Sequence, residues 1–110
     1  MAKKADKEAD KREAIEYSLM DQLAMMGAMK DHYIDLLNDY MGFWDVKNAL
    51  LYDIKLRGVT YKDFSSVGIE MSKNNPSVKE LVMVNRQMLS ILKELGLGTA
   101  NVRSGEDDVL

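Results

Sequence analysis

A single proline stands in the whole chain, at position 76, directly after Asn74 and Asn75. Inside a helix a proline removes a hydrogen bond and clashes with the preceding turn, at about 3 kcal/mol. At the first helical position it is harmless, because the helix does not use that amide hydrogen. Pro76 therefore marks a helix start, with Asn75 as its N-cap. No proline interrupts the 75 residues before it, and the chain carries nine methionines and 46% apolar residues. Helix is the form that such a chain adopts with the fewest penalties, and the apolar spacing gives three.

The first helix is expected over about Lys4 to Met26. Its opening half is mostly Ala, Lys, Asp, Glu and Arg; then Ile15, Leu19, Leu23 and Met26 fall on one face. Gly27 ends or interrupts it. The second is expected over about Met29 to Arg57, where Tyr33, Leu37, Tyr40, Trp44, Leu51 and Ile54 keep a near-heptad register with Lys47 in the missing place. Leu36, Phe43 and Leu50 broaden that stripe beyond a two-stranded seam and suit a helical hairpin or bundle. Trp44 and Phe43 read as core. Gly42 costs about 1 kcal/mol against alanine at mid-helix and marks a kink or a close crossing. Arg57 followed by Gly58 is the order of a basic last turn and a left-handed stop.

Residues 59–75 break the helical pattern. They fit two short extended pieces or an irregular connection, and their length suits a functional loop or a subunit contact better than a bare link. After Pro76 come Val78, Leu81, Val82, Val84, Met88, Leu89, Ile91, Leu92 and Leu95, an apolar sector too wide for one partner helix. Gly96 is placed to stop this helix, with Leu97 folding back on its last turn. The remainder, GTANVRSGEDDVL, is polar and is expected to be mobile. The fold class is thus mainly all-α: three principal helices in a hairpin or bundle, with a short irregular or minor β segment before the last. Three regions are expected: a charged helical arm at 1–28, a helical core and oligomerisation region at 29–97, and an acidic tail at 98–110.

The chemistry the sequence can support is narrow. It has no cysteine and one histidine, His32, so Ser-His, Cys-His and His-rich metal layouts cannot be built within one chain. Asp31, Asp35 and Asp39 lie four apart and read as a solvated acidic face; a hard cation held there at a subunit interface is the enzyme alternative. No phosphate-binding glycine loop occurs. The chain reads as no enzyme, with no cofactor and no metal. The net charge is −3, from 15 basic and 18 acidic residues, which is not the balance of a nucleic-acid binder. The N-terminal 16 residues carry Lys3, Lys4, Lys7, Lys11 and Arg12 against five acids, with opposite charges four apart such as Glu8 and Arg12. A helix-turn-helix is not legible, because the second helix is too long and carries outward Asp31, Asp35, Asp39, Asp45 and Asp53, which phosphates repel. No secretory leader or membrane span is read in the sequence, and a cytoplasmic setting is expected.

Several short features now combine. Asn75-Pro76 heads an apolar helix; Leu95-Gly96-Leu97 closes it twenty positions on; Thr99, Asn101 and Val102 form a coda before the acidic end. In this order, after a long aromatic-rich helix closing on Arg57-Gly58, the pattern resembles the small subunits of tailed-phage terminases over about residues 30–103. The sequence departs from the common wording, in which a proline follows Leu-Gly-Leu-Thr and an arginine comes soon after. Gly98 and Thr99 stand here instead, and Arg103 is out of register, so no role passes to it.

The resemblance implies a non-catalytic, ring-forming homo-oligomer in the host bacterial cytoplasm. It would recognise viral double-stranded DNA and recruit and regulate the large ATPase-nuclease subunit for packaging into procapsids, with no membrane partner. Under that reading the candidate DNA contacts are Lys3, Lys4, Lys7, Lys11 and Arg12, acting weakly and through many copies. Glu106, Asp107 and Asp108 are the candidate dock for the large subunit. The alternative is a small helical phage regulator or adaptor that binds another protein and not DNA.

Overall fold

The computed structural model describes residues 4–99, with side chains from Asp6 onward. Its elements run α1 (Lys4–Met25), α2 (Asp31–Arg57), β1 (Thr60–Phe64), β2 (Glu70–Asn74) and α3 (Pro76–Glu94). The mainly helical expectation holds, and of the two options for residues 59–75 the extended one is realised, as an antiparallel hairpin. The described chain divides into two units, one of residues 4–41 and 89–99 and one of Gly42–Met88.

In the first unit Leu23, Leu37, Met41, Ile91 and Leu95 are buried. Leu23, Leu37, Ile91 and Leu95 are positions of the helical stripes read from the sequence, whereas Met41 was not among them; α1, the first turns of α2 and the end of α3 supply the five. Both helix exits in this unit use the same device. Beyond α1, Gly27 N–H donates to Ala24 O at 3.1 Å and Ala28 N–H to Leu23 O at 2.9 Å. Beyond α3, Gly96 N–H donates to Lys93 O at 3.1 Å and Leu97 N–H to Leu92 O at 2.8 Å. These pairs satisfy the last carbonyls of each helix and reverse the chain. Gly96 has φ 74°, and a Cβ there would stand 3.1 Å from Met26 Cε, so both backbone and space call for glycine.

In the second unit Trp44, Val84 and Met88 are buried. Phe43 is only half-buried and Leu51 is 42% exposed, so the broad stripe expected on α2 is not all core. On α3, likewise, Val82 and Leu89 stand exposed beside the buried positions. Gly42 lies inside an uninterrupted α2, and a Cβ there would meet nothing within 4 Å.

The hairpin pairs Thr60 with Asn74 through to Phe64 with Glu70. Ser65 N–H donates to Ile69 O at 2.8 Å and Gly68 N–H to Ser65 O at 2.9 Å, closing the loop over Gly68 at φ 82°. At the other end the ladder gains one more rung, Asn75 N–H to Val59 O at 2.7 Å. Asn75 is therefore both the last rung of the hairpin and the cap of α3.

Candidate functional site

At 100° per residue along α1, Lys7 and Lys11 fall on one stripe, with Asp6, Asp10 and Glu13 about a third of a turn to one side and Glu8 beside Lys11 on the other. Lys7 and Lys11 are exposed. Arg12 is half-buried and pairs with Glu16 at 3.6 Å. Asp10, Glu13 and Glu16 line a shallow groove of about 570 Å³ with Ala14, Tyr17 and Met20. Phosphates are repelled on that side. Lys3 lies outside the described residues, as does the side chain of Lys4.

The Asn75-Pro76 motif forms the cap expected of it. Asn75 is 2% exposed, and its Oδ1 accepts Ser77 N–H at 2.9 Å. The sequence did not reveal what else this side chain does. Its Oδ1 also accepts Arg57 Nη2 at 3.0 Å, and its Nδ2 donates to Gly58 O at 2.9 Å. Arg57 grips Asp53 two-fold, Nε to Oδ1 and Nη2 to Oδ2, each at 2.9 Å. Ser77 Oγ donates to Asp53 Oδ2 at 2.7 Å. The guanidinium lies 4.9 Å from the centroid of Tyr61 on β1.

Asp53, Arg57, Asn75 and Ser77 thus form one closed network joining the end of α2, the base of the hairpin and the start of α3. The sequence reading of Asp53 as one more outward acid is corrected: its carboxylate is committed on both oxygens. The bond from Arg57, then that from Ser77, holds its pKa well below the usual carboxylate range. Arg57 is pushed upward in turn, chiefly by its bonds to Asp53. A permanently ionised pair with all its partners in place carries no proton in either direction near neutral pH. Its work is to fix geometry. The four-residue spacing of Asp53 and Arg57 was a visible signal for the ion pair; the links to positions 75 and 77 were not visible.

On the hairpin, Asp63 accepts the Phe64 N–H at 2.8 Å and Lys73 Nζ at 3.1 Å, and these two lower its pKa in that order. Lys62 pairs with Glu70 at 3.3 Å on the opposite face.

Of the closing motif, Leu95 is buried, Gly96 takes the left-handed conformation, Leu97 is half-buried and Thr99 is exposed. Asn101, Val102, Arg103, Glu106, Asp107 and Asp108 lie outside the described residues. Asp31, Asp35 and Asp39 are exposed on α2, and no group of three or more metal-ligating side chains gathers among the described residues. His32 is exposed, its ring 4.3 Å from that of Tyr33. No helix among the described residues is long and apolar enough to cross a membrane.

Comparison with curated proteins and with solved structures finds no match. Comparison with protein families does: the model for the phage terminase small subunit matches residues 17–104. That span runs from the middle of α1 through both sequence motifs, including the capped start of α3 and its Gly96 exit. The chain belongs to the phage terminase small-subunit family.

Proposed function

We propose that this chain is the non-catalytic DNA-recognition subunit of a phage packaging motor. Several copies form a closed ring, mark viral double-stranded DNA for packaging, and recruit and regulate the large ATPase-nuclease subunit in the host bacterial cytoplasm. The family match over residues 17–104 carries this reading. The surplus of exposed apolar side chains on the helices and hairpin supports the oligomer. The exposure of Lys7 and Lys11 on one stripe of α1 supports a weak contact with phosphates, which repetition around a ring strengthens. Lys3, Lys4 and Arg12 join that contact, and Glu106, Asp107 and Asp108 engage the large subunit.

The test is retention of viral DNA across a salt series. The wild-type oligomer is expected to hold DNA at low salt and to release it steeply as salt rises. Replacing Lys3, Lys4, Lys7, Lys11 and Arg12 together by alanine should abolish retention without changing oligomer mass; unchanged retention refutes the arm assignment. Deleting residues 105–110 should weaken capture of the large subunit and leave the oligomer intact.

The net charge of −3 and the acidic groove of α1 favour a second reading, a helical phage adaptor that binds protein and not DNA. A monomeric or dimeric chain with no DNA retention at any salt selects it.

A further inference from the structure

We infer that the β1–β2 hairpin is the arm by which one copy of this chain seats on the helices of the next. The inference rests on the oligomeric reading above and names the surface that builds the oligomer. Within Gly42–Met88, eleven large apolar side chains are exposed and three are buried. Each of the eleven is 42% to 77% exposed. Together they offer on the order of 1,000 Å² of apolar surface, above the roughly 800 Å² that each partner buries in a standard interface.

The hairpin holds the densest part of that surplus. Phe64, Val67 and Ile69 crowd its tip at 67%, 77% and 63% exposure, with Met71 on the returning strand. It is a two-stranded sheet, an element that is marginal without further cover. Its charges do not mark it for an anionic partner. The four charged side chains of 60–74 cancel, and both lysines are taken, Lys62 by Glu70 at 3.3 Å and Lys73 by Asp63 at 3.1 Å. Neither DNA phosphates nor an anionic membrane surface finds an uncommitted cation here. An uncharged apolar protein face does fit.

The same unit also exposes apolar side chains on its helices, Leu56 on α2 and Val82 and Met83 on α3. The surplus thus falls into two unlike parts, a hairpin tip and helix side chains. A head-to-tail contact uses one of each from every copy, and such contacts generate rings where the rotation between copies closes.

Native mass spectrometry of the full chain tests this, comparing wild type with the triple variant Phe64→Ser, Val67→Ser, Ile69→Ser. The variant should keep its circular dichroism spectrum and need at least about tenfold higher concentration to assemble. A Met25→Ser control, equally exposed but in the other unit, should assemble as wild type. The chain has no cysteine, so Val67→Cys carries a benzophenone maleimide at one defined place. In a mixture of isotopically light and heavy chains, its photo-crosslinks should join unlike chains and map to α2 or α3 peptides. A wild-type oligomer that the triple variant reproduces, or tip crosslinks confined to one chain, overturns this assignment and leaves the oligomeric reading standing. A wild type that is monomeric at every concentration overturns both.

Discussion

Arg57 Nη2 donates to Asn75 Oδ1 at 3.0 Å, so the last turn of α2 holds the N-cap of α3 across eighteen positions of sequence. The same asparagine closes the hairpin ladder through its backbone and fixes Gly58 O through its amide. Every polar atom of a side chain that is 2% exposed is thereby used, and one residue is bonded to the end of α2, the base of the hairpin and the start of α3.

Replacing Asn75 by alanine removes the cap and leaves Arg57, Gly58 O and Ser77 N–H short of a partner. A loss of about 2 kcal/mol is expected, at the upper end for an N-cap, because the site is buried. Urea denaturation at a fixed protein concentration measures it. Amide exchange should rise first along β1 and β2, since the hairpin base loses its tie before the helices do.

Asp53 gives the network an acid limit. Its folded pKa lies below the ordinary 3.8, so between the two values the unfolded chain binds more protons. The stabilisation is therefore complete above about 3.8 and drains away as pH falls through the folded value. Asp63 adds to the same trend, its pKa lowered by the Phe64 amide and then by Lys73. Melting temperatures of wild type and Asp53→Asn should converge as pH drops below about 4 and separate above it. A constant gap between them from pH 2 to 7 would refute the role given to this carboxylate.

Arg57 is not replaceable by lysine. The two parallel bonds to Asp53, the third to Asn75 and the stacking on Tyr61 all use the planar guanidinium. Arg57→Lys should behave like Arg57→Ala in thermal melts, to within about 0.5 kcal/mol.

Two glycines should respond in opposite directions to alanine. At Gly42 a Cβ meets nothing within 4 Å and the helix is regular, so the chain should gain up to about 1 kcal/mol. At Gly96 the backbone is left-handed and Met26 Cε is 3.1 Å away, so a loss of roughly 1–2 kcal/mol is expected. Chemical denaturation of the two single variants checks both signs.

Burial separates two residues of the same helix. Leu23 is fully buried, and Leu23→Ala should cost about 3 kcal/mol. Tyr17 is 72% exposed, and Tyr17→Ala should change stability by no more than about 0.5 kcal/mol. Equal effects would show that α1 packs through a different face.

The sequence by itself determined the elements that are governed by neighbours along the chain. Pro76 and Asn75 set the start of α3, Gly27 and Gly96 set two helix ends, and the three-to-four spacing of Leu23, Leu37, Val84, Met88 and Ile91 picked core positions. A cap, a left-handed stop and an amphipathic stripe each depend on contacts within one or two turns, so their signals sit close together in the chain. The family resemblance read from the sequence is the one that the family match shows.

Only the tertiary structure decided what joins distant segments. It took residues 59–75 from an open choice to a hairpin in one register. It turned Asp53 from an outward acid into the anchor of Arg57 and Ser77, and it divided the wide stripes of α2 and α3 into buried Trp44 and Val84 and exposed Leu51, Val82 and Leu89. Periodicity gives the face on which an apolar side chain lies, but whether that face is covered depends on chain that arrives from elsewhere.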